Sequence, residues 1–437
     1  MSDVTAGLPQ ATNPLQGSLP ALQADYAALC ARGLALDLTR GKPAADQLAL
    51  SEPLLSLPGS GIDLDDAGTD VRNYGGGDGL PGLRRIFAPL YGVPVDQFLA
   101  LGNASLHVMH DVITFALLHG LPDSPQPWAR EETLKFICPV PGYDRHHSIC
   151  QAYGIDMIPV PMQADGPDAA AIAALVASDP AIKGMWLVPT YSNPSGAVVT
   201  DDVAQALVSM PTAAPDFRIF WDNAYAIHHL TDVETPSADA LALAAAAGNP
   251  DRVLMFASTS KVSFAGSGIA FFASSPANID WLRARRSVQT IGPDKINHLR
   301  HALFFRDSDG VRTHMRAHAA ILAPKFAAVQ RILTARLGAL RDAGLVTWTN
   351  PQGGYFVSLN VMPGTAARVI ALAKQAGVAL TPAGATWPLG VDPRDENIRL
   401  APSMPPLADV EEAMEAVALC VQLAAAEVTY RQPSNSR

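Results

Sequence analysis

The chain has 437 residues, 49% apolar and 16% charged, which excludes overall disorder and is too much for one ordinary core, so two domains or a large and a small lobe are expected. A net charge of −10 without any basic stripe argues against a nucleic-acid footprint. Four cysteines, Cys30, Cys138, Cys150 and Cys420, lack C-x-x-C or metal-ligand spacing and read as reduced thiols; with no secretory leader and no uncharged apolar run of membrane-spanning length, a soluble, cytoplasmic protein is expected.

Residues 1–20 are rich in Pro, Gly, Ser and Gln and predict a loose arm, and Leu22, Tyr26 and Leu29 at helical spacing predict a helix over 20–32. A short strand then leads to Arg40, Gly41 and a Lys-Pro turn, where the glycine permits close backbone approach to a ligand or simply makes a turn. Gly75, Gly76, Gly77 and Gly79 form a flexible loop that presents Tyr74 and runs through Pro81 into a helix carrying Leu83, Ile86, Phe87 and Leu90. That loop lacks the lysine and Ser/Thr of a P-loop, which argues against nucleotide phosphate. The junction LGNASLHVMH suits an anion better. Asn103, Ala104 and Ser105 place free amides and a hydroxyl at a helix N-terminus, although plain N-capping by Asn103 or Ser105 accounts for the same residues.

From Lys135 the chain alternates short apolar runs (KFICPVPGYDRH, GIDMIPVPM, GMWLVPTYSNPSG, FRIFWDNAYAIHHL, RVLMFASTSK) with helical stretches around 169–178 and 201–208. Strands separated by helix-length connections predict βαβ units, an α/β fold with a mainly parallel sheet, and ligands at the carboxyl ends of its strands. Four consecutive strand ends carry Tyr143, Asn193, Asp222 with Tyr225, and Lys261. Around Lys261, Ser258, Thr259, Ser260, Ser263, Gly266, Ser267 and Gly268 leave little bulk beside one long amine. A pyridoxal phosphate ring needs an amine to form an imine, a carboxylate to keep its pyridine nitrogen protonated, donors for its phenolic oxygen, an aromatic face and an anion site. These residues supply each.

On YSNPSG (191–196), the Asp222-Asn223-Ala224-Tyr225 quartet, Ser258-Thr259-Ser260-Lys261 and Asn397-Ile398-Arg399-Leu400, the chain resembles the fold-type I pyridoxal-phosphate aminotransferases of class I/II, the aspartate aminotransferase family, over about residues 40–405. The resemblance implies a large domain with a mainly parallel seven-stranded sheet plus a small α/β domain. Residues 1–60 are assigned to an arm and part of the small domain, 61–310 to the large cofactor-binding domain, 311–430 to the small domain and 431–437 to a disordered tail. It implies Lys261 as Schiff-base lysine and general acid/base, Asp222 on the ring nitrogen, Asn193 and Tyr225 on the phenolic oxygen, and Tyr143 on the ring face. Asn103, Ala104, Ser105 and Ser258 would hold the phosphate. Arg399, with Gly41 and Asn193, would clamp the substrate α-carboxylate, a bidentate role its planar fork suits. Tyr74 matches the tyrosine that reaches the phosphate of the neighbouring subunit, implying a homodimer with shared sites.

One departure stands out: the family's phosphate-binding arginine is missing from AGSGIAFF, so Ser267 or a residue from elsewhere must take its place. With RGKP (40–43), PGYDRH (141–146) and IGPDKINHLRH (291–301), the chain is similar to the divergent bacterial subgroup Ic of aspartate aminotransferases, also described as MocR-like. Arg40, Arg145 and Lys295 are the candidates for a distal carboxylate. The expected reaction is ping-pong transfer between an L-amino acid, aspartate or glutamate by that subgroup, and a 2-oxo acid. The same fold also runs lyases, decarboxylases and synthases. An effector-binding MocR-like sensor would need a DNA-binding domain, for which the residues before Arg40 are too few and not basic enough.

Downstream, helical segments over 311–340, a strand pair turning at Gly353 and Gly354, a helix to 375, NIRLAPSM and a helix to about 430 predict a small α/β lobe completed by residues near the N-terminus. His146, His147, His228 and His229 lack ligand spacing with cysteines or acids, and no metal is expected.

Overall fold

The computed structural model describes residues 18–431; most of the expected N-terminal arm and of the expected C-terminal tail lie outside them. Within these residues strand β1 is Leu36–Asp37. It is followed by β2 (Phe98–Ala100), β3 (Lys135–Val140), β4 (Asp156–Gln163), β5 (Gly166–Pro167), β6 (Ile182–Leu187), β7 (Arg218–Asp222), β8 (Val253–Ser258) and β9 (Ala270–Ala273). The last four are β10 (Thr347–Trp348), β11 (Val357–Asn360), β12 (Val378–Ala379) and β13 (Asn397–Leu400).

Strands β2 to β9 form one sheet in the order β2-β9-β8-β7-β6-β3-β4-β5. The pairs β4–β3, β3–β6, β6–β7 and β7–β8 are parallel, while β9 runs against both β8 and β2. The seven strands expected from sequence become eight because β5, a Gly-Pro dipeptide with no strand-like side chains, pairs antiparallel with Met162 and Gln163. That leaves most of β4 open on its outer side, and its Pro159 and Pro161 stand opposite Cys138 and Val140 of β3.

The sheet is apolar on both faces because side chains alternate along each strand. Met185, Leu187, Ile219, Trp221, Val253 and Met255 enter one core, while Trp186, Phe220, Leu254 and Phe256 enter the other. The second core is covered by the helix Ser105–His119, whose buried face is Val108, Met109, Val112, Ile113 and Ala116.

A separate core runs from Phe326 to Ala426 and takes in Leu29 and Leu38 from near the N-terminus. Here β11 pairs antiparallel with β10 and β13, and β1 pairs with β12, so early residues complete the small lobe. The expected helical segments over 311–340 are one 35-residue helix, Ser308–Asp342, with Pro324 inside it. Its first turns, at Val311 and Met315, pack in the large core and Phe326 to Leu340 in the small one. The helix Leu407–Arg431 is long and apolar enough to cross a membrane, but 67% of its apolar window is buried in the protein, as in a core helix. The carboxyl ends of β3, β6, β7 and β8 all open on one edge of the large sheet, facing this small lobe.

Candidate active site

Asp222 ends β7, its carboxyl 3% exposed at the residue level. Its Oδ2 lies 3.0 Å from His146 Nε2, while the buried Oδ1 has no hydrogen-bond partner among the described residues. A buried carboxylate oxygen without a donor is costly, so the site is shaped for a ligand N–H at that point. His146 is fixed from two sides: it stacks on Trp186 at 4.5 Å between ring centroids and meets the edge of Tyr143 at 5.0 Å. Trp186 in turn donates to Cys150 Sγ. Tyr143 caps the helix Asp144–Ala152, so one turn carries Tyr143, Asp144 and His146 into the site. Burial pushes the Tyr143 phenol up to about 12.

Lys261 follows β8, and its Nζ stands 4.7 Å from the centre of the Tyr225 ring. Burial, and then the Asp222 carboxylate, push the Tyr225 phenol far up, which keeps it a donor at neutral pH. The backbone beside the lysine is held from outside. Tyr355 donates to the Lys261 carbonyl at 3.4 Å, and His314 Nε2 to the Val262 carbonyl at 2.8 Å. Gln47, its own oxygen taken by the Ala44 amide, donates to both Tyr355 and His318, and His318 lies 3.0 Å from His314. His228, buried between Tyr225 and Tyr355 with neither ring nitrogen partnered among the described residues, is driven far down by that burial and stays neutral.

The helix Ser105–His119 begins with no side-chain cap on its first amides, so N-capping by Asn103 or Ser105 is not what those residues do; Asn103 instead donates to the Ala265 carbonyl. Free amides at Ala104 and Ser105 therefore remain at the positive end of the helix. Ser258 ends β8 with its hydroxyl 3.1 Å from Ser260 Oγ. Ser267 lies in the turn before β9, where its carbonyl accepts from Asn297 Nδ2 at 3.0 Å.

Arg399 in β13 is 8% exposed and crosses from the small lobe to Asn193, with Nη1 3.5 Å from Asn193 Oδ1 and 3.3 Å from Asp144 Oδ1. Its guanidinium lies 5.1 Å from the Phe356 ring centre, and Gly41 packs so closely on that ring that a Cβ would fall 2.4 Å from Phe356 Cζ. The other cations weighed from sequence are elsewhere. Arg40 and Arg145 are exposed, and the Lys295 amine is tied to the carbonyls of Asn73 at 2.5 Å and Gly75 at 2.7 Å. That lysine thereby pins the glycine loop carrying Tyr74, which is 83% exposed and does not reach this chain's own cleft. Asp144, His146, Gln47, His314, His318 and Tyr355 are contributors that sequence alone does not assign to the site. Only for His146 is a signal available, three residues beyond Tyr143 on the same helical turn.

An amine, an aromatic face, a carboxyl with an open oxygen, a neutral phenol, an uncapped helix N-terminus and a buried arginine thus meet where the parallel strands end. Fold and site together define a fold-type I enzyme handling amino acids, an aminotransferase. A profile of the aspartate amino-transferase family matches residues 11–433. An aspartate aminotransferase of Corynebacterium glutamicum is 54% identical over 399 residues, 91% of each chain. The crystal structure of an aspartate transaminase from the same organism superposes with a TM-score of 0.93 at 52% identity, covering 95% of this chain and 97% of that one. An α-aminoadipate aminotransferase from Thermus thermophilus, complexed with N-(5′-phosphopyridoxyl)-L-leucine, shares the fold at a TM-score of 0.71 and 20% identity, over 96% and 98% of the two chains. The chain belongs to the aspartate aminotransferase family.

Proposed function

We propose that this aminotransferase carries pyridoxal 5′-phosphate and moves an amino group between L-aspartate or L-glutamate and a 2-oxo acid, working as a cytoplasmic homodimer with shared sites. The observation that carries the reading is the open Oδ1 of Asp222 in the same cleft as the Lys261 amine and Arg399. The Corynebacterium relatives, named as aspartate enzymes, support the donor, and the phosphopyridoxyl ligand of the Thermus enzyme supports the cofactor. When bound, the cofactor supplies a carbonyl for amines and an electron sink for the substrate Cα. Asp222 would keep a proton on the pyridine nitrogen, with its other oxygen held in place by His146. Tyr225 and Asn193 would donate to the phenolic oxygen, and Tyr143 would cover a ring face. The amides of Ala104 and Ser105, with Asn103, Ser258 and Ser267, would hold the phosphate at the helix N-terminus. Arg399, backed by Gly41 and Phe356, grips the substrate α-carboxylate. Lys261 Nζ would act as the base that takes the proton from the substrate Cα and, once protonated, as the acid that gives it back.

Free thiols in all four cysteines fit a reducing compartment. For the dimer, the support is that Tyr74 stands exposed on the loop pinned by Lys295, where Gly292 packs on Gly75 and Ile291 and Ile296 are exposed. From it Tyr74 would complete the neighbour's phosphate site. The test is the absorbance spectrum of purified protein before and after L-aspartate and then 2-oxoglutarate, with sedimentation of the same sample. A visible cofactor band that falls with aspartate and returns with the oxo acid, at a mass twice 46.0 kDa, is expected. Lys261→Ala should lose both the lysine-dependent band and turnover. A band indifferent to aspartate would remove the proposed donor, and a single-chain mass would remove the shared site.

A further inference from the structure

Among the described residues, the hydrogen bonds of the Arg399 side chain are all long. Asp144 Oδ1 lies at 3.3 Å, Asn193 Oδ1 at 3.5 Å and Thr381 Oγ1 at 3.4 Å, and the buried Nε has no partner among the described residues. A charge-assisted N–H···O bond settles at about 2.7–2.9 Å, and other arginines of this chain reach it. Arg368 holds Glu427 at 2.7 and 2.8 Å, and Arg283 holds Asp78 at 2.8 and 2.9 Å. The guanidinium at the centre of the cleft therefore sits in a loose cage with donor capacity to spare. Asp144 is the charged member of that cage. Its side chain is 36% exposed against 8% for Arg399, so the carboxylate lies on the water side of the pair. Because its outer side is already hydrated, Asp144 can exchange the arginine for water when another carboxylate takes its place.

We propose that Asp144 is the resident counter-ion of Arg399, displaced by each incoming substrate carboxylate, and that it thereby sets how tightly amino and oxo acids bind. The proposal rests on the reading of Arg399 as the carboxylate clamp. With no substrate present, Asp144 keeps a buried cation paired, which avoids the cost of an isolated charge. With substrate present, it competes for Nη1 and repels the ligand. In a reaction where one product must leave before the next substrate enters, a carboxylate waiting beside the clamp also speeds exit. Asp144 touches the arginine and not the reacting atoms, so it is a positioning residue.

The test is calorimetric binding of succinate, a dicarboxylate with no amino or oxo group to exchange, to the holoenzymes of wild type, Asp144→Asn, Asp144→Glu and Arg399→Ala. Asp144→Asn keeps size and loses charge, so it should bind succinate about three to ten times more tightly, and Asp144→Glu should return toward wild type. In steady state the KM for aspartate should fall by a larger factor than kcat changes. Cofactor absorbance and thermal melting show that the variants are folded. Unchanged or weaker succinate binding by Asp144→Asn overturns the proposal. Arg399→Ala separates the two readings: if it loses succinate while Asp144→Asn binds as wild type does, the clamp stands and the counter-ion falls. If Arg399→Ala binds succinate as wild type does, the clamp reading fails and the proposal with it.

Discussion

Among the described residues the Asp222 carboxyl is held by a single ring nitrogen, and its other oxygen is buried without a partner. Asp222→Asn, which cannot stabilise a positive charge on a pyridine nitrogen, should slow the half-reaction with aspartate by about 10²–10³ while leaving sedimentation unchanged. A single-turnover measurement within a few-fold of wild type would remove Asp222 from its role. At this scale much of the site is legible in the sequence. Asn193, Asp222, Tyr225 and Lys261 each come at or just after the end of an apolar run, and neighbouring parallel strands bring such residues to one edge of the sheet. His146 is not legible in that way, since its partner lies 76 residues on and its aim comes from the stacking of Trp186. Arg399 is legible through the Asn397-Ile398-Arg399-Leu400 motif, whereas no pattern ranks Arg40, Arg145 and Lys295, because exposure and backbone ties are settled only by the fold.

Among the elements, the turn before β11 and the loop after β6 lock together. Tyr191 has φ of 51°, a left-handed backbone that a bulky residue adopts only when its surroundings enforce it. Its hydroxyl meets His229 Nδ1 at 2.7 Å, and its ring lies where a Cβ on Gly353 would come within 2.1 Å. Gly353→Ala should therefore destabilise the protein by about 1–3 kcal/mol through overpacking and lower the urea midpoint; an unchanged midpoint would mean that the ring yields freely. The strand pair around these glycines is visible in the sequence as two apolar runs with a turn between, but the ring they enclose is set by the other lobe. Pro324 likewise hides the continuity of the helix Ser308–Asp342, because a proline normally reads as a break and only packing on two cores holds the helix through it.

For the molecule as a whole, buried histidines tie stability to pH. Burial pushes His147, His298 and His301 down to about 4 and His318 down to about 3. Their folded values lie below the unfolded value of about 6.5, so the unfolded chain binds protons that the native one refuses. The stability they contribute is complete above that unfolded value and is lost as pH falls toward 4. The urea midpoint should drop between pH 7 and pH 5, and a midpoint that holds or rises would show that these rings are not kept neutral. The small lobe completed by early residues is legible, since β1 precedes the RGKP turn in plain alternation. The tie from Gln47 through His318 and His314 to the lysine loop is not, because it joins three segments by side chains alone.

The outer strand of the large sheet bears on how the protein behaves in a crowded cell. β4 is paired on one side and nearly bare on the other, the arrangement that invites stray chains to add on and grow into aggregates. Pro159 and Pro161 offer no N–H to such a visitor, and the two residues of β5 bend the chain away into the helix Ala169–Ser178. Colloidal stability at high concentration is thus built into a strand that carries no residue of the active site.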